Sequence, residues 1–271
     1  AIGIDYARDY VARFGFNKQD LPRNLSLALG TANLTPMEVA TGWSTFANGG
    51  YKIQPYLIDR IESRDSQPLF IANPPSVPHN SPPSLAEEPP INTGNEASIE
   101  RAAAERIIDE RTAFILTSML QDVIKRGTGR RALAMGRSDL AGKTGTTNES
   151  KDSWFSGYNA DYTTTVWSGF DQPESLGRME FGGTVALPIW MSYMSVALKD
   201  KPAHLLPEPP GILTLRVDPI TGRAASPGNA NAYFELFKSE DSPPSMGELD
   251  PSQSTLGSPL PADETAPIDL F

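Results

Sequence analysis

Cysteine is absent from this 271-residue chain, and histidine occurs only twice, as His79 and His204. The first absence excludes disulfide bonds, thiolate nucleophiles and metal sites built on cysteine. Both histidines lie in proline-rich stretches, which disfavours a histidine-based catalytic triad and a multi-histidine metal site. The sequence therefore predicts a protein that uses no cofactor and no metal.

Positive charge is also scarce, because 23 Lys and Arg stand against 33 Asp and Glu, for a net charge of −10. A chain this acidic is a poor partner for nucleic acid. Residues 239–271 contribute 7 of the net negative charges and contain no Lys or Arg. Low hydrophobicity with excess charge predicts a disordered acidic tail, whose alternative role is to dock a partner.

Long apolar runs are missing as well. The most apolar segment, Gly182 to Leu198, contains Pro188 and several hydroxyl-bearing residues, so it is too short and too polar for a confident membrane span. The chain begins without Met or a signal peptide and inside a predicted helix, which suggests part of a longer or processed polypeptide.

Hydrophobic periodicity predicts both helices and strands. Helices are predicted at residues 2–14, from Thr35 to Gly49, from Asp109 to Gly127 and from Pro188 to Leu198. The second helix begins with a capping box at residues 35–38, and Asp109 is the predicted N-cap of the third. Strands are predicted at residues 56–63 and 68–72, as a hairpin, and at 139–146, 153–159, 162–170 and 211–217, with a turn at residues 159–161. Strands and helices do not alternate in the order β-α-β along the chain, which favours an α+β fold with an antiparallel sheet flanked by helices.

Proline divides the chain. Seven prolines between residues 73 and 98 leave few consecutive backbone donors, which predicts an exposed, mobile insertion without regular structure. The predicted division has five parts: a first region at 1–72, the insertion at 73–104, the long helix and main sheet at 105–200, a strand-and-turn extension at 201–238, and the tail at 239–271.

One stretch, residues 142–147 with the sequence Gly-Lys-Thr-Gly-Thr-Thr, combines residue types that could bind a ligand or take part in catalysis. Side chains alternate along a strand, so Thr144 and Thr146 point to one face and Lys143 to the other. A hydroxyl pair in a cleft can hold a carboxylate, and a nearby ammonium strengthens that binding. Gly145 permits close approach of another group, and an unpaired strand N–H can point at an oxyanion.

The tripeptide Lys-Thr-Gly is weak by itself, since a given tripeptide occurs by chance in roughly one chain in thirty of this length. An exposed strand end followed by a turn explains the run equally well. The sequence around the motif is more specific than the motif, and it favours a functional strand.

Several segments resemble a known family. Lys143-Thr144-Gly145-Thr146 is similar to the third signature of the penicillin-recognising serine acyltransferases, whose other signatures are S-x-x-K and S-x-N. The flanking residues 126–129 (Arg-Gly-Thr-Gly) and 152–158 resemble those of class A high-molecular-weight penicillin-binding proteins, as do residues 29–38 and 47–50. The insertion and the acidic tail resemble the 1a type of Gram-negative bacteria. The resemblance covers about residues 1–72 and 105–225, the C-terminal part of a transpeptidase domain.

The resemblance implies a peptidoglycan D,D-transpeptidase with the fold shared by penicillin-binding transpeptidases and serine β-lactamases, incomplete in this chain. Peptidoglycan stem peptides would be its substrates and β-lactam antibiotics would acylate it. The family places such enzymes at the periplasmic face of the bacterial inner membrane, which implies a membrane anchor outside this chain. A peptidoglycan glycosyltransferase domain would lie further upstream in the full polypeptide.

The same resemblance implies roles for individual residues. Lys143 would supply positive charge and assist proton transfer. Thr144 and Thr146 would bind the terminal carboxylate of the substrate, and the N–H of Thr146 would be one of two oxyanion donors. Gly145 and Thr147 belong to the same predicted substrate and β-lactam site, along which the substrate peptide would lie antiparallel.

The chain departs from the family pattern in one respect. No Lys is preceded by Ser at the third residue before it, and no Asn by Ser at the second, so S-x-x-K and S-x-N are both missing. In the family both signatures lie N-terminal to the part that matches residues 1–72. We therefore expect the nucleophile in the upstream portion of the same protein, and we expect this chain alone to be inactive.

Three alternatives stay open. A non-catalytic penicillin-recognising sensor or scaffold of the cell envelope would lack the two missing signatures upstream as well. A β-lactamase shares the strand motif, although the insertion and the extra strand beyond residue 210 disfavour its compact fold. An envelope interaction domain would carry Lys-Thr-Gly by coincidence.

Other conspicuous side chains have two interpretations each. Trp154, Trp167 and Trp190 could line a ligand groove, but core packing is favoured. The arginines at residues 130–131 could attract anionic cell-wall polymer, but a solvated pair at a helix exit is favoured. Asp152 could tune the nearby lysine, but capping of a turn is favoured.

Overall fold

The computed structural model describes residues 2–78 and 101–243. Within them the α-helices are α1 (Ile4–Ala12), α2 (Pro36–Ala47), α3 (Glu110–Arg126) and α4 (Ala186–Ala197). The strands are β1 (Arg60–Glu62), β2 (Pro68–Ile71), β3 (Ala141–Thr146), β4 (Asp152–Tyr158), β5 (Thr163–Gly169), β6 (Ile212–Val217) and β7 (Tyr233–Lys238). Short 3-10 helices lie at Leu25–Leu29, Arg130–Met135, Asn148–Ser150 and Ser239–Asp241. All named strand pairs are antiparallel, which confirms the predicted α+β class.

Helix α2 begins with the predicted capping box. Thr35 Oγ1 accepts a hydrogen bond from Glu38 N at 3.2 Å, and Glu38 Oε2 accepts one from Thr35 N at 2.8 Å. Two backbone donors at the helix start are thereby satisfied. The helix ends before Gly49 and Gly50, which both have positive φ. Gly50 also lies against the carbonyl oxygen of Ile108, only 2.4 Å from where a Cβ would stand, so no larger residue fits there.

Helix α3 has the predicted ends too. Asp109 Oδ1 accepts a hydrogen bond from Thr112 N at 3.2 Å and caps the first turn. Gly127 closes the last turn, where its N–H donates to the carbonyl of Val123 at 3.0 Å. The chain then passes through Thr128 and the 3-10 helix Arg130–Met135 into β3, so the end of α3 lies close to the strand that carries the motif.

The central sheet has the strand order β3-β4-β5. In its register Lys143 is opposite Ser156 and Gly145 is opposite Trp154. The turn between β4 and β5 is held by Asn159, whose Oδ1 accepts hydrogen bonds from Asp161 N at 3.1 Å and Tyr162 N at 2.9 Å. This is the turn that the sequence predicts at residues 159–161.

The sheet separates two layers of helices. Tyr158 and Phe155 are three residues apart on β4 and therefore point to opposite faces. On one face, Tyr158 packs against Trp43 of α2, and its hydroxyl lies 2.8 Å from Thr117 Oγ1 of α3. On the other face, Phe155 packs at 5.0 Å against the fully buried ring of Trp190 in α4. Burial of these aromatic rings fixes the sheet between the helices.

Helix α4 begins at Ala186, two residues earlier than predicted. Pro188 lies in its first turn, where a missing backbone N–H leaves no intrahelical hydrogen bond unmade. Pro188 therefore marks the first turn of this helix rather than its first residue.

A buried polar cluster lies where β3 begins and where β4 turns into β5. Arg137 donates to both carboxylate oxygens of Asp139, at 2.9 and 2.6 Å, and Asn159 Nδ2 donates to the same carboxylate at 3.2 Å. His204 N adds a fourth hydrogen bond at 3.3 Å. Burial alone would raise the pKa of Asp139, but these hydrogen bonds and the Arg137 charge outweigh burial and lower the pKa below its ordinary value.

The proline-rich insertion lies mostly outside the described residues, which omit 79–100. On its flanks, Ser76 forms an isolated parallel bridge with Ala103, through hydrogen bonds of 2.9 and 2.8 Å. Before it, β1 and β2 form the hairpin that the sequence predicts, with shorter strands than expected.

The chain divides between Glu208 and Pro209 into two units. The described part of the second unit is the β6–β7 hairpin, of which β6 is predicted from the sequence and β7 is not. The tight turn after β6 is held by Asp218, whose Oδ1 accepts from Ile220 N and Thr221 N at 2.8 and 3.0 Å. Of the predicted acidic tail, residues 244–271 lie outside the described residues, and the five-part division of the chain stays a prediction.

Candidate active site

Lys143 is exposed near the middle of β3. Its Nζ donates a hydrogen bond to the carbonyl oxygen of Thr144 at 2.9 Å and lies 3.5 Å from Thr144 Oγ1. Both hydrogen bonds that Lys143 makes within the described residues go to Thr144, so no carboxylate there neutralises its charge. The ammonium group is therefore available to an anion that approaches β3.

The hydroxyls of Thr144 and Thr146 lie on the opposite face of β3 from the lysine stem, as the alternation predicts. Thr146 Oγ1 accepts a hydrogen bond from Gly182 N at 3.0 Å. Thr144 Oγ1 lies 2.7 Å from Thr128 Oγ1. Since Thr146 acts as an acceptor in its contact, its own hydroxyl proton remains available for donation.

The backbone of β3 leaves donors at an open edge. Thr147 N donates to Asp152 O across the ladder at 3.1 Å. Backbone groups of an antiparallel strand point alternately toward and away from the partner strand, so the N–H of Thr146 points away from β4. No described strand pairs with that edge of β3, and within the described residues the Thr146 N–H has no backbone partner. An oxyanion donor needs this kind of unpaired, fixed N–H.

Two glycines, Gly182 and Gly183, form a segment that lies against β3 and is called the Gly182 segment. A Cβ on Gly182 would stand 2.4 Å from the carbonyl oxygen of Trp154 and 2.7 Å from that of Gly145. Backbone atoms cannot yield by that much, so residue 182 must be glycine for this approach. The contact places the Gly182 N–H against Thr146 and thereby fixes the orientation of the hydroxyl.

The motif ends in a closed turn. Thr147 Oγ1 accepts from Asp152 N at 2.8 Å and donates to Asp152 Oδ2 at 3.2 Å, while Trp167 Nε1 donates to Asp152 Oδ1 at 2.8 Å. Asp152 therefore caps the turn, as favoured from the sequence. Glu149 and Ser150, the middle of this turn, both have positive φ, at 61° and 51°. The ligand contact expected of Thr147 stays a prediction, since its hydroxyl is engaged in the turn.

Ser156 is the serine directly opposite Lys143 in the β-ladder. Its side chain is buried, and its hydroxyl lies 3.0 Å from Thr165 Oγ1 on β5. A buried, hydrogen-bonded hydroxyl of this kind cannot reach an external peptide. Ser156 is therefore no substitute for the nucleophile of the missing S-x-x-K signature.

The three tryptophans do not share one role, which corrects the core interpretation. Trp190 is fully buried and belongs to the core. Trp154 is half-buried and Trp167 is 36% exposed, and their rings lie 6.2 Å apart across β4 and β5. Because Trp154 is opposite Gly145 in the register, this pair lies on the sheet face from which Lys143 projects. The physical reason is position, since Trp190 lies in α4 within the main core cluster, whereas Trp154 and Trp167 lie opposite each other on neighbouring strands.

Arg130 and Arg131 are exposed in the 3-10 helix that follows α3, consistent with a solvated pair. Within residues 2–78 and 101–243, no cluster of three or more His, Asp or Glu side chains is arranged to hold a metal ion. Across the same ranges, no helix has the length and apolar character that a membrane span requires.

The structure brings four predicted residues together on one strand and adds two that the sequence analysis did not single out as functional, Thr128 and Gly182. A signal for each is present in the sequence. Thr128 lies in the Arg-Gly-Thr-Gly segment that carries the family resemblance, and Gly182 begins a Gly-Gly pair ahead of α4. Neither signal shows which residue is contacted, because the Thr128–Thr144 and Gly182–Thr146 hydrogen bonds join residues 16 and 36 positions apart in the sequence.

The family model of the penicillin binding protein transpeptidase domain matches residues 1–194 of this chain. The matched range contains β3, Thr128 and the Gly182 segment, and it ends within α4.

Curated relatives of this chain include proteins named penicillin-binding protein 1A. The protein from Pseudomonas aeruginosa is 62% identical over 292 aligned residues, which cover 100% of this chain and 35% of the relative. The protein from Neisseria meningitidis is 42% identical over 214 residues, which cover 79% of this chain and 24% of the relative. The chain thus spans about a third or less of the length of the curated relatives it matches.

Solved structures agree with the sequence relatives. The crystal structure of penicillin-binding protein 1A from Haemophilus influenzae matches 89% of this chain with a TM-score of 0.78 and 37% identity, and the match covers 37% of that chain. PonA1 from Mycobacterium tuberculosis matches 83% of this chain and 56% of its own with a TM-score of 0.57 and 22% identity, which shows the fold alone. The family match extends over most of the chain, and the fold and the motif agree with it. The chain therefore belongs to the penicillin-binding protein transpeptidase domain family.

Proposed function

We propose that the protein containing this chain is a serine-type peptidoglycan D,D-transpeptidase in which β3 is the strand that binds the substrate. The observation that supports this proposal is the open edge of β3. There an unneutralised ammonium (Lys143), two hydroxyls (Thr144 and Thr146) and an unpaired N–H (Thr146) lie on one strand. This donor set suits an extended peptide that ends in a carboxylate.

A stem peptide that ends in D-Ala-D-Ala fits these donors. Added antiparallel to β3, it forms backbone hydrogen bonds along the open edge. Its terminal carboxylate accepts hydrogen bonds from Thr144 and Thr146, while Lys143 balances the charge. The Thr146 N–H then donates to the carbonyl oxygen that becomes negative during attack, and loss of one such donor in a serine hydrolase costs roughly 3 kcal/mol of barrier.

The nucleophile in this proposal is the serine of an S-x-x-K signature outside the 271 residues. Its Oγ attacks the penultimate D-Ala carbonyl carbon, the C–N bond to the terminal D-Ala breaks, and the serine proton passes to the leaving amine. The amine of a second stem peptide then attacks the acyl-enzyme, the ester C–O bond breaks, and the serine regains a proton. Two easier steps thereby replace one difficult one.

A β-lactam enters the same scheme. It carries a carboxylate beside a reactive carbonyl, so β3 binds it as it binds the peptide, and the serine is acylated as the lactam C–N bond opens. In the full polypeptide we also propose an upstream glycosyltransferase domain and a membrane anchor, which place this chain at the periplasmic face of the inner membrane.

Labelling with a fluorescent penicillin, followed by intact mass, tests the function. The probe is applied to this chain alone and to a chain extended about 300 residues upstream, roughly the size of two typical domains. The extended chain is expected to gain one covalent adduct and the short chain none. Lys143→Ala should abolish labelling or slow it greatly, whereas Lys199→Ala, an exposed lysine after α4, should label at the wild-type rate.

Each contrary result has a distinct meaning. Labelling of the short chain would reveal a nucleophile within these 271 residues and overturn the site assignment. An extended chain that folds but stays unlabelled would overturn the enzymatic proposal in favour of a non-catalytic sensor or scaffold.

A further inference from the structure

Thr128 projects a hydroxyl to the strand that binds the ligand, although it lies on a different element. It follows the last turn of α3, is exposed, and places its Oγ1 2.7 Å from Thr144 Oγ1. The sequence separation of 16 residues means that the fold, rather than local chain geometry, creates this contact.

The position of Thr128 is fixed from two sides. Behind it, the N–H groups of Gly127 and Gly129 both donate to the carbonyl of Val123 at 3.0 Å, which ties the loop to the end of α3. In front of it, a Cβ on Gly183 would stand 3.2 Å from the Thr128 carbonyl oxygen, so the Gly182 segment packs closely against the loop. A hydroxyl held in this way is prepared for binding before a ligand arrives.

Counting protons shows what the hydroxyl contributes. Thr128 and Thr144 have two O–H groups and share one hydrogen bond between them, so either direction of that bond leaves one O–H to donate outward. Thr146 is an acceptor from Gly182 N and keeps its own O–H. The three threonines therefore offer two outward donors, one for each oxygen of a carboxylate.

We propose that Thr128 is a third hydroxyl of the carboxylate site on β3, and that with Thr144 it forms one donor unit beside the donor of Thr146. This inference rests on the proposed function, because it assigns a recognition residue to that site. Without the Thr128 hydroxyl, the Thr144 hydroxyl loses the partner that orients it and one oxygen of the ligand carboxylate loses its ordered donor.

The test measures the second-order rate of acylation by benzylpenicillin and by its methyl ester, which lacks the negative charge, in the full-length protein. Thr128→Val keeps the shape of the side chain without the hydroxyl, and Thr128→Ser keeps the hydroxyl. We expect Thr128→Val to slow benzylpenicillin about tenfold, the effect of one hydrogen bond to a charged group, and to leave the ester rate unchanged. Thr128→Ser should retain the wild-type preference for the free acid.

Thr214→Val is the matched control, since Thr214 is an exposed threonine on β6 in the other unit. It should leave both rates unchanged. Equal slowing of the acid and the ester by Thr128→Val would indicate a structural role and overturn the inference, as would no slowing of either. A wild-type protein that benzylpenicillin does not acylate would instead overturn the proposed function, and this inference with it.

Discussion

The two ends of the central sheet both carry polar side chains, but they use them differently. At one end, Asp139 is only 2% exposed and receives hydrogen bonds from Arg137, Asn159 and the backbone of His204. Toward the other end, here called the motif end, β3 continues through Thr146 into the turn at Asp152. Lys143, near the middle of β3, is exposed and hydrogen bonds only to Thr144 within the described residues. The Asp139 carboxylate has its hydrogen bonds within the protein, whereas the motif end keeps hydrogen-bond donors that no described group uses.

The difference follows from what each end must do. A buried charge is tolerated only when every lone pair finds a donor, so the Asp139 end leaves no capacity for a ligand. In the function proposed above, β3 binds the substrate, and a binding strand needs donors that water occupies until a ligand displaces it. The unpaired donors of the motif end are consistent with that proposal. Backbone strain follows the same division, because Glu149 and Ser150 of the motif end have positive φ and residues 159–161 of the Asp139 end do not.

The largest expected loss of stability comes from a substitution that removes the Asp139 carboxylate. Asp139→Ala leaves the Arg137 guanidinium, whose side chain is 12% exposed, without its carboxylate partner and, among the described residues, with hydrogen bonds only to the carbonyls of Lys201 and Pro202. We expect the free energy of unfolding to fall by about 3–5 kcal/mol, measured by urea unfolding with tryptophan fluorescence. Asp122→Ala removes the more exposed i,i+4 partner of Arg126 and should cost about 0.5 kcal/mol or less. Equal losses in the two variants would show that the Asp139 cluster is no more stabilising than a surface pair.

The same cluster predicts how stability depends on pH. The pKa of Asp139 is lowered in the folded state, so the folded protein holds fewer protons than the unfolded chain once the pH falls to about 4, the ordinary pKa of Asp. The contribution of Asp139 is fully present above that pH and is lost as the pH falls through the lowered pKa. Unfolding midpoints between pH 6 and the acid range should therefore decline more steeply in the wild type than in Asp139→Asn. Parallel profiles would contradict the assignment.

A smaller loss of stability is expected from a substitution in the Gly182 segment, where it lies against the motif end of β3. Gly182→Ala places a methyl group against two carbonyl oxygens, so the segment must shift and its N–H must leave Thr146. We expect a loss of about 1–3 kcal/mol in unfolding free energy, together with slower penicillin acylation. Gly228→Ala is the control, because a Cβ there meets nothing within 4 Å. An unchanged acylation rate in Gly182→Ala would mean that the N–H contact does not orient Thr146.

The smallest effect concerns the strained turn after the motif. Ser150→Gly relieves a positive φ but makes the unfolded chain more flexible, so we expect a net stabilisation of less than about 1 kcal/mol. Ser195→Gly, the same change on the exposed face of α4, should lower the melting temperature instead. Differential scanning calorimetry of both variants checks the two signs, and a lower melting temperature for Ser150→Gly would show that the turn is not strained.

Local sequence by itself determined the ends of the elements. The capping box at Thr35, the N-cap at Asp109 and the turn at Asn159 depend on hydrogen bonds within a few residues, and all three are present as predicted. The Lys-Thr-Gly strand and its alternation of faces belong to the same class of local information. Strand β7 was missed although its aromatic residues favour a strand, because its apolar and polar residues do not alternate strictly.

Tertiary structure alone decided which groups meet. Thr128 contacts Thr144, and Gly182 approaches β3, although these residues are far apart in the sequence. The fold also places Trp190 apart from the Trp154–Trp167 pair. Periodicity assigns a side chain to a face, but it does not say whether another segment covers that face or how far the cover extends. For this reason the sequence identified the strand that carries the candidate site, and only the packing of the loops around β3 showed which hydroxyls remain free to bind a ligand.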